Sequence, residues 1–279
     1  MSYFSVLIIF LIPPLLVLIA FVPRDLWAHL RRRERPGMEI LLPYAAVLLH
    51  VVLAVIYTTP WDNYLVATGV WYYNPSLVTG LTLGYVPIEE YTFFVLQSLL
   101  TGLWAVAIMR RLSPSLGAFA PNMQLRRAAS FFVALVWVTS TVLFFSGWKP
   151  GTYLTLILSW ALIPVLLQTA VGADILWHHW RILVVGIAIP TLYLWWVDSL
   201  AITSGTWTID PAQTIGLMLG SLPFEEMLFF LMTNVIIVFG MVLFLAPETR
   251  RRLVDLSRSM EKLRRRVSLT IRIDLGINE

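Results

Sequence analysis

Long apolar runs separated by short polar segments are the dominant pattern along this chain. A run of about 20 apolar residues is the length at which a helix crosses the roughly 30 Å hydrocarbon core of a bilayer. Seven such runs occur, at about 3–22, 38–58, 86–109, 128–146, 152–171, 181–199 and 221–246. The pattern therefore predicts an all-α integral membrane protein with about seven transmembrane helices, and it leaves little chain for a soluble domain.

The composition agrees with a chain that folds in lipid. Hydrophobic residues make up 58% of the 279 residues and charged residues 13%, whereas soluble domains have roughly half and a quarter. The first run lacks a basic segment and a cleavage site and has Pro13-Pro14 in its middle, so we interpret it as a retained helix rather than a signal peptide. The absence of cysteine excludes disulfides, thiolate metal sites and cysteine nucleophiles.

The basic residues predict the orientation, because short cytoplasmic loops retain arginine and lysine. They flank one side of the runs, at Arg24, Arg31, Arg32, Arg33, Arg35, Arg110, Arg111, Arg126, Arg127, Arg181 and nine positions after the last run. Only Lys149 lies on the opposite side. We predict a multi-pass cell-membrane protein with its N-terminus outside and its C-terminus in the cytoplasm, whose net charge of +4 reflects topology rather than a nucleic-acid partner. The tail from Arg250 to Arg266 is either a solvated topogenic segment or a basic helix on anionic lipid.

An internal repeat with an offset of 136 residues divides the chain. Eleven residues recur at this offset without a gap: Asp62, Gly69, Trp71, Pro75, Gly80, Gly84, Pro87, Glu89, Glu90, Phe93 and Phe94 match Asp198, Gly205, Trp207, Pro211, Gly216, Gly220, Pro223, Glu225, Glu226, Phe229 and Phe230. Because rare residue types dominate this list, duplication explains it better than chance.

Each repeat contains three spans, and the fourth span joins them, so both repeats have the same orientation. We predict two parallel three-helix repeats at 1–109 and 151–246, a connector with its own helix at 110–150 and a basic tail at 247–279. Such halves are usually related by a pseudo-twofold axis along the membrane normal, with the functional site at their interface. The segments 60–84 and 196–220 are predicted to be interfacial or re-entrant pieces on the outer side.

Repeat-related carboxylates are the main candidates for chemistry: Asp62, Glu89, Glu90, Asp198, Glu225 and Glu226. An ionisable group near hydrocarbon costs several kcal/mol unless it is paired, hydrated or neutralised. Crowded carboxyls in a poorly hydrated place cannot all ionise, so at least one should hold its proton and act as an acid. The alternative is that they cap helices or lie in headgroup water, since Pro87 and Pro223 suit first helical positions and the glutamates then fall in the first turn.

Aromatic residues accompany the carboxylates, at Phe93, Phe94, Phe229, Phe230, Trp71 and Trp207. Helical spacing places Phe93 on the face of Glu89 and Phe94 on the face of Glu90. Aromatic faces stabilise a nearby cation without attacking it. A protonated carboxyl beside such rings is what adding a proton to an alkene requires, although ordinary packing also explains the phenylalanines.

Several other chemistries are excluded or disfavoured. No Gly-x-Gly-x-x-Gly follows a strand, so dinucleotide and flavin binding are unsupported. The last run contains no lysine for a retinal Schiff base, and the acidic side has too few cations for a diphosphate substrate. Glu-Glu proteases of the CAAX type need an arginine one turn later, where this chain has Phe and Leu. His178 and His179 lie on the inner side, so we expect no metal site.

The motifs resemble the lycopene cyclase domain family of the heterodimeric type, in its fused two-repeat form. The resemblance rests on Trp-Asp-Asn-Tyr, Gly-Val-Trp and Pro-Ile-Glu-Glu-Tyr-Thr-Phe-Phe in the first repeat and on Val-Asp-Ser, Gly-Thr-Trp and Pro-Phe-Glu-Glu-Met-Leu-Phe-Phe in the second, and it covers roughly residues 1–246. It implies that lycopene is cyclised through γ-carotene to β-carotene without redox change and without a cofactor. The implied catalytic residues are Glu89, Glu90, Glu225 and Glu226, with Asp62 and Asp198 in support.

Two alternatives to a lycopene cyclase remain, one within the family and one from another class of protein. Relatives of this kind also cyclise longer carotenoids or only one end, and sugar transporters of the SWEET type share the arrangement of three plus one plus three spans in parallel repeats. Their proline-glutamine signature is absent here. The expected partners are a carotenoid, the lipid bilayer and other carotenoid enzymes, and the sequence does not assign acid and base among the glutamates.

Overall fold

A computed structural model describes residues 1–32, 36–113, 118–255, 258 and 261. Seven helices in these ranges are long and apolar enough to cross a membrane, which makes the chain a multi-pass membrane protein. The first is built from α1 (Tyr3–Val6), a π-helical turn (Leu7–Leu11) and α2 (Ile12–Phe21); the short α3 (Arg24–Arg31) follows, and the other spanning helices are α4 (Met38–Ala67), α5 (Ile88–Met109), α6 (Met123–Phe145), α7 (Thr152–His178), α8 (Trp180–Thr203) and α9 (Phe224–Leu245).

The repeat is visible in the secondary structure itself. Between the spanning helices of each repeat lie three short strands: β1 (Trp71–Tyr73), β2 (Thr82–Leu83) and β3 (Val86–Pro87) in the first, and β4 (Trp207–Ile209), β5 (Met218–Leu219) and β6 (Leu222–Pro223) in the second. Each of these strands, and α5 with α9, recurs at the offset of 136. The predicted architecture of two parallel three-helix repeats joined by a connector helix, α6, is confirmed.

An antiparallel pair of strands joins the two repeats on the side where α4 and α8 end. β1 pairs with β4, and Tyr72 lies opposite its own repeat mate Thr208. A second pair of mates meets inside the bundle, where Gln97 of α5 donates to Thr233 of α9 over 2.7 Å. Repeat mates that face each other must lie at the symmetry axis, so the pseudo-twofold axis passes through both pairs.

The two predicted outer segments begin later in the chain than expected. The segments 60–84 and 196–220 do not begin as interfacial loops, because α4 continues to Ala67 and α8 to Thr203. Pro60 lies inside α4 and does not end it. Asp62 and Asp198 are therefore helical residues and lie in the bundle.

Prolines in the first helix of each repeat create bonds between the repeats. Because proline has no N–H, the carbonyl four residues before it loses its helical partner. The freed carbonyl before Pro14 belongs to Phe10 and accepts a hydrogen bond from Tyr193 over 2.6 Å. The freed carbonyl before Pro164 belongs to Trp160 and accepts one from Tyr57 over 2.8 Å. Backbone groups in a bilayer must be satisfied by protein, and here the opposite repeat satisfies them.

The opposite end of the bundle is held by arginines. At Gly172, α7 departs from helical geometry, and the carbonyls just before the kink accept bonds from Arg126 and Arg252. Arg252 also pairs with Asp174 at 2.7 Å. Residues 247–255 are helical, whereas the predicted basic tail beyond them lies, apart from 258 and 261, outside the described residues.

We predict unequal effects of the same substitution at two repeat-related turns. Gly84 and Gly220 both have positive φ, so alanine at either position should cost about 1–2 kcal/mol. At Gly84 the new Cβ would lie 2.2 Å from Oδ1 of Asn63, whereas nothing lies within 4 Å at Gly220. Gly84→Ala should therefore lower the thermal unfolding midpoint in detergent more than Gly220→Ala. Equal midpoints for the two variants would contradict the described contact.

Candidate active site

A small cavity of about 40 Å³ lies between the two repeats, beside the β1–β4 pair. We term it the acid chamber. It is lined by Tyr3, Val6, Leu7, Leu11, Trp71, Tyr73, Glu90, Phe93, Leu194, Val197, Asp198, Trp207, Glu226, Phe229 and Phe230. Both repeats contribute to this lining, so the site is composite.

The second glutamate of each pair faces the acid chamber. Glu90 accepts hydrogen bonds from the phenols of Tyr3 at 2.6 Å and Tyr73 at 3.0 Å. Glu226 accepts one from Tyr153 at 2.7 Å. Tyr3 and Tyr153 begin the first helix of their repeats, so this part of the site is duplicated as well. None of these three tyrosines was predicted from the sequence, although a tyrosine near the start of the first and fifth apolar runs was a usable signal.

Tyr73 makes the two repeats chemically different. It lies on β1, and its repeat mate is Ile209, which has no polar side chain. Burial and the nearby Glu90 carboxyl raise the pKa of the Tyr73 phenol well above its ordinary value. Tyr73 therefore stays a hydrogen-bond donor at neutral pH, and Glu90 receives one more phenol bond than Glu226.

The first glutamate of each pair is turned away from the acid chamber. Oε1 of Glu89 accepts the backbone N–H of Thr79 at 2.6 Å, and Oε1 of Glu225 accepts that of Ile215 at 2.7 Å. Both glutamates thus bind the loop that precedes their own helix. Each remains buried, and the other oxygen of each has no hydrogen-bond partner in the described part of the chain.

The two predicted aspartates also differ. Asp198 lines the acid chamber and accepts the indole N–H of Trp207 at 3.0 Å. Asp62 is fully buried, and neither of its oxygens has a partner among the residues that the structure describes. Its carboxyl interacts electrostatically with the carboxyls of Glu90 and Glu226. The mate of Trp207, Trp71, lines the acid chamber without a partner for its indole N–H in the same ranges.

No ion pair to this group of carboxyls occurs among the residues that the structure describes. Ion pairs join Arg110 to Asp25, His179 to Glu248 and Arg252 to Asp174, all away from the acid chamber. The donors around the carboxyls are neutral phenols, indoles and backbone N–H groups. Buried carboxyls that repel one another and have no counter-ion cannot all be charged. The group can therefore hold protons and exchange them within the chamber.

The predicted aromatic residues separate into two groups. Trp71, Phe93, Trp207, Phe229 and Phe230 line the acid chamber, whereas Phe94 lines a neighbouring cavity. The phenylalanine of α5 that lines the acid chamber with Glu90 is thus Phe93, three residues later in the same helix. The predicted pairing of Glu90 with Phe94 and Glu89 with Phe93 does not describe this chamber. Trp61 and Trp160, whose rings stack at 4.6 Å beside Phe229, were not predicted as site residues, although Trp61 begins the Trp-Asp-Asn-Tyr motif.

The two histidines for which the sequence predicts no metal site, His178 and His179, lie on the inner side of the bundle. Nε2 of His179 lies 3.6 Å from Glu248. No cluster of three or more possible metal ligands occurs in the described ranges.

Fold and site together define a class: a polytopic membrane protein of two parallel repeats that enclose a group of buried carboxyls. The model of the family described as lycopene cyclase matches residues 38–112 and 150–244, which is more than half of the chain. The chain belongs to the lycopene cyclase family. Its members catalyse cyclisation, so it is an enzyme, and this match favours a cyclase over a transporter.

Curated relatives agree with this assignment. A lycopene beta-cyclase of Halobacterium salinarum is 38% identical over 243 residues, which cover 87% of this chain and 95% of the relative. Bifunctional lycopene cyclase/phytoene synthases of Podospora anserina and Phaeosphaeria nodorum are 39% and 40% identical, over 70% and 71% of this chain. The aligned regions cover 34% and 35% of those fungal proteins. No solved structure is detectably similar to the chain.

We predict that Glu89 and Glu225 act mainly on stability. Glutamine keeps an oxygen for the loop N–H, so Glu89→Gln should unfold near the wild-type midpoint. Alanine leaves the buried N–H of Thr79 without an acceptor, and Glu89→Ala should cost about 1–3 kcal/mol. Thermal unfolding in detergent measures both variants, and the repeat-related pair at Glu225 should behave in the same way. A Gln variant as unstable as the Ala variant would show that loss of the hydrogen bond to the loop does not cause the destabilisation.

Proposed function

We propose that this chain is a lycopene β-cyclase, an isomerase that converts the linear ends of lycopene into β rings by way of γ-carotene. The observation that carries the proposal is the meeting of Glu90, Glu226 and Asp198 in one aromatic chamber between the repeats. The relative from Halobacterium salinarum supports the substrate, because it matches nearly end to end.

The reaction needs an acid, a protected cation and a base. A carboxylic acid protonates the terminal double bond of a ψ end, and the neighbouring double bond attacks the resulting tertiary cation to close the ring. A carboxylate then removes a ring proton. One proton is added and one is lost, so the product is an isomer and no electrons are transferred. The buried carboxyls would supply both the acid and the base of this reaction.

The hydrogen bonds support different roles for the two chamber glutamates. Glu90 accepts two phenol O–H groups, and accepting hydrogen bonds is what a carboxylate does. We assign it the role of base. Glu226 accepts one phenol O–H group and lines the acid chamber together with Asp198, and two carboxyls crowded in one apolar chamber do not both ionise. We assign the acid to this pair, with Asp62 as a further proton store.

The aromatic walls protect the cation. Phe93 and Phe230 meet edge to face at 6.0 Å, and Phe229 meets Phe230 at 5.2 Å. Ring faces attract a cation electrostatically and offer it no lone pair. With Trp71 and Trp207, these rings would stabilise the tertiary cation and exclude water until the base acts.

The repeat, the two matched segments and the one-sided basic residues support the remaining assignments. We infer that 1–109 and 151–246 are the two cyclase units, that 110–150 connects them and that 247–279 is a cytoplasmic tail, with the N-terminus outside the cell membrane. The substrate reaches the site from lipid. Association with other carotenoid enzymes is supported by the fungal relatives, whose names combine the cyclase with a phytoene synthase.

Expression in cells that accumulate lycopene tests the activity. The wild-type chain should produce β-carotene, detected by chromatography of extracted pigment. Glu90→Gln and Glu226→Gln should each reduce conversion about 10²- to 10⁴-fold, because an amide neither donates nor accepts the transferred proton. Glu89→Gln and Glu225→Gln are the matched controls and should retain most activity. Unchanged lycopene with the wild-type chain would falsify the proposal, and a one-ringed product would assign a one-ended cyclase instead.

Single cysteines test the orientation, since the natural chain has none. Ser76 and Ser113 are both exposed and lie in loops on either side of α5. A membrane-impermeant thiol reagent added to intact cells should label Ser76→Cys and leave Ser113→Cys unlabelled until the membrane is opened. The reverse pattern would invert the proposed topology.

A further inference from the structure

A second cavity, of about 330 Å³, lies among α4, α5, α7 and α9. Its walls are mainly apolar and include Leu53, Ala54, Phe94, Trp160, Ile163 and Leu167. None of the carboxyls described above lines it. Its chemistry therefore suits a hydrocarbon and offers no acid.

This cavity adjoins the acid chamber through one aromatic ring. Phe229 lines both spaces. The ring of Phe229 stacks against Trp61 at 5.7 Å and against Trp160 at 6.2 Å. Displacement of the Phe229 side chain would join the two spaces.

The cavity also opens toward the bilayer. Leu53 on α4 and Leu167 on α7 line it and are 52% and 64% exposed on the outer surface of the bundle. Its lining runs from His50 to Thr58 along α4, a length of about 12 Å at 1.5 Å per residue. An extended chain can therefore enter sideways from lipid and run along the helices toward Phe229.

The size of the acid chamber requires such an extension. A cavity needs roughly 10–15 Å³ for each water molecule that it holds, so a space of about 40 Å³ takes only a few waters and does not hold the branched end of a carotenoid together with its chain. We propose that the second cavity, termed the polyene cavity, binds the conjugated chain of the carotenoid, and that Phe229 is the movable partition through which the chain's end reaches the carboxyls. The polyene cavity rests on the proposed function, and it would hold the part of the substrate that does not react.

A third hollow provides an internal comparison. It is larger, about 650 Å³, and lies among α6, α7, α8 and α9. It shares no lining residue with the acid chamber, although its walls are also apolar. Ala188 lines this hollow as Ala54 lines the polyene cavity. Ala45 is exposed on α4 and lines neither.

Three alanine-to-tryptophan variants test the proposal. They are made in a Glu90→Gln, Glu226→Gln background, so that lycopene binds without turnover, and binding is measured by the carotenoid that co-elutes with purified protein. Ala54→Trp should weaken lycopene binding at least roughly tenfold, because the indole occupies the polyene cavity. Ala188→Trp and Ala45→Trp should bind as the background does. A graded series of Ala54→Leu and Ala54→Phe should give intermediate losses, and it replaces Ala54→Trp if that variant does not fold.

The outcomes separate the two proposals. Normal binding by the Ala54 series, or a loss with Ala188→Trp alone, overturns the polyene cavity even if the wild-type chain makes β-carotene. The expected binding pattern in a protein that cyclises nothing in cells leaves the polyene cavity in place and removes the cyclase.

Discussion

Buried carboxyls without a counter-ion are the constraint on which this structure depends. A charge in the bilayer interior costs several kcal/mol unless something compensates it, and basic residues are absent from the surroundings of these groups in the described ranges. Phenols, indoles and backbone N–H groups compensate them instead. Neutral donors leave protons free to move among the acids, whereas arginine partners would fix the acids as permanent anions. The same arrangement therefore solves the solvation problem and would supply the acid and the base of the proposed reaction.

Duplication explains how the site is assembled, and divergence explains how its halves can act differently. Each repeat supplies a phenol at the start of its first helix and a glutamate at the start of its third. The freed carbonyls before Pro14 and Pro164 bond to tyrosines of the opposite repeat, which fixes the halves against each other. Within this symmetric frame, Tyr73 has no polar counterpart, and only one of the two related indoles reaches its aspartate.

The aromatic residues connect the site to the membrane. One layer of stacked rings, with Phe229 at its centre, lies between the carboxyls and a cavity that opens to lipid. A hydrocarbon substrate dissolved in the bilayer needs no aqueous route, and the cation of the proposed reaction would form behind this layer, shielded from water. The fold, the protonation of the carboxyls and the route of a hydrocarbon substrate thus all depend on carboxyls that lie inside an apolar bundle.

The sequence by itself determined the spanning helices, the parallel repeats and the set of acidic residues, because hydrophobic length and exact spacing are local properties of the chain. It also assigned Asp62 to an interfacial segment and Asp198 to the end of a span where the second such segment begins, since tryptophans, tyrosines, glycines and prolines without basic residues are typical of an interface. Packing instead carried α4 on to Ala67 and α8 to Thr203. Which glutamate of each pair faces the chamber depended on where the preceding loop passes, as the bonds from Thr79 and Ile215 show. Only the tertiary structure decided that, because adjacent residues on a helix differ by about 100° and the sequence does not say which direction is inward.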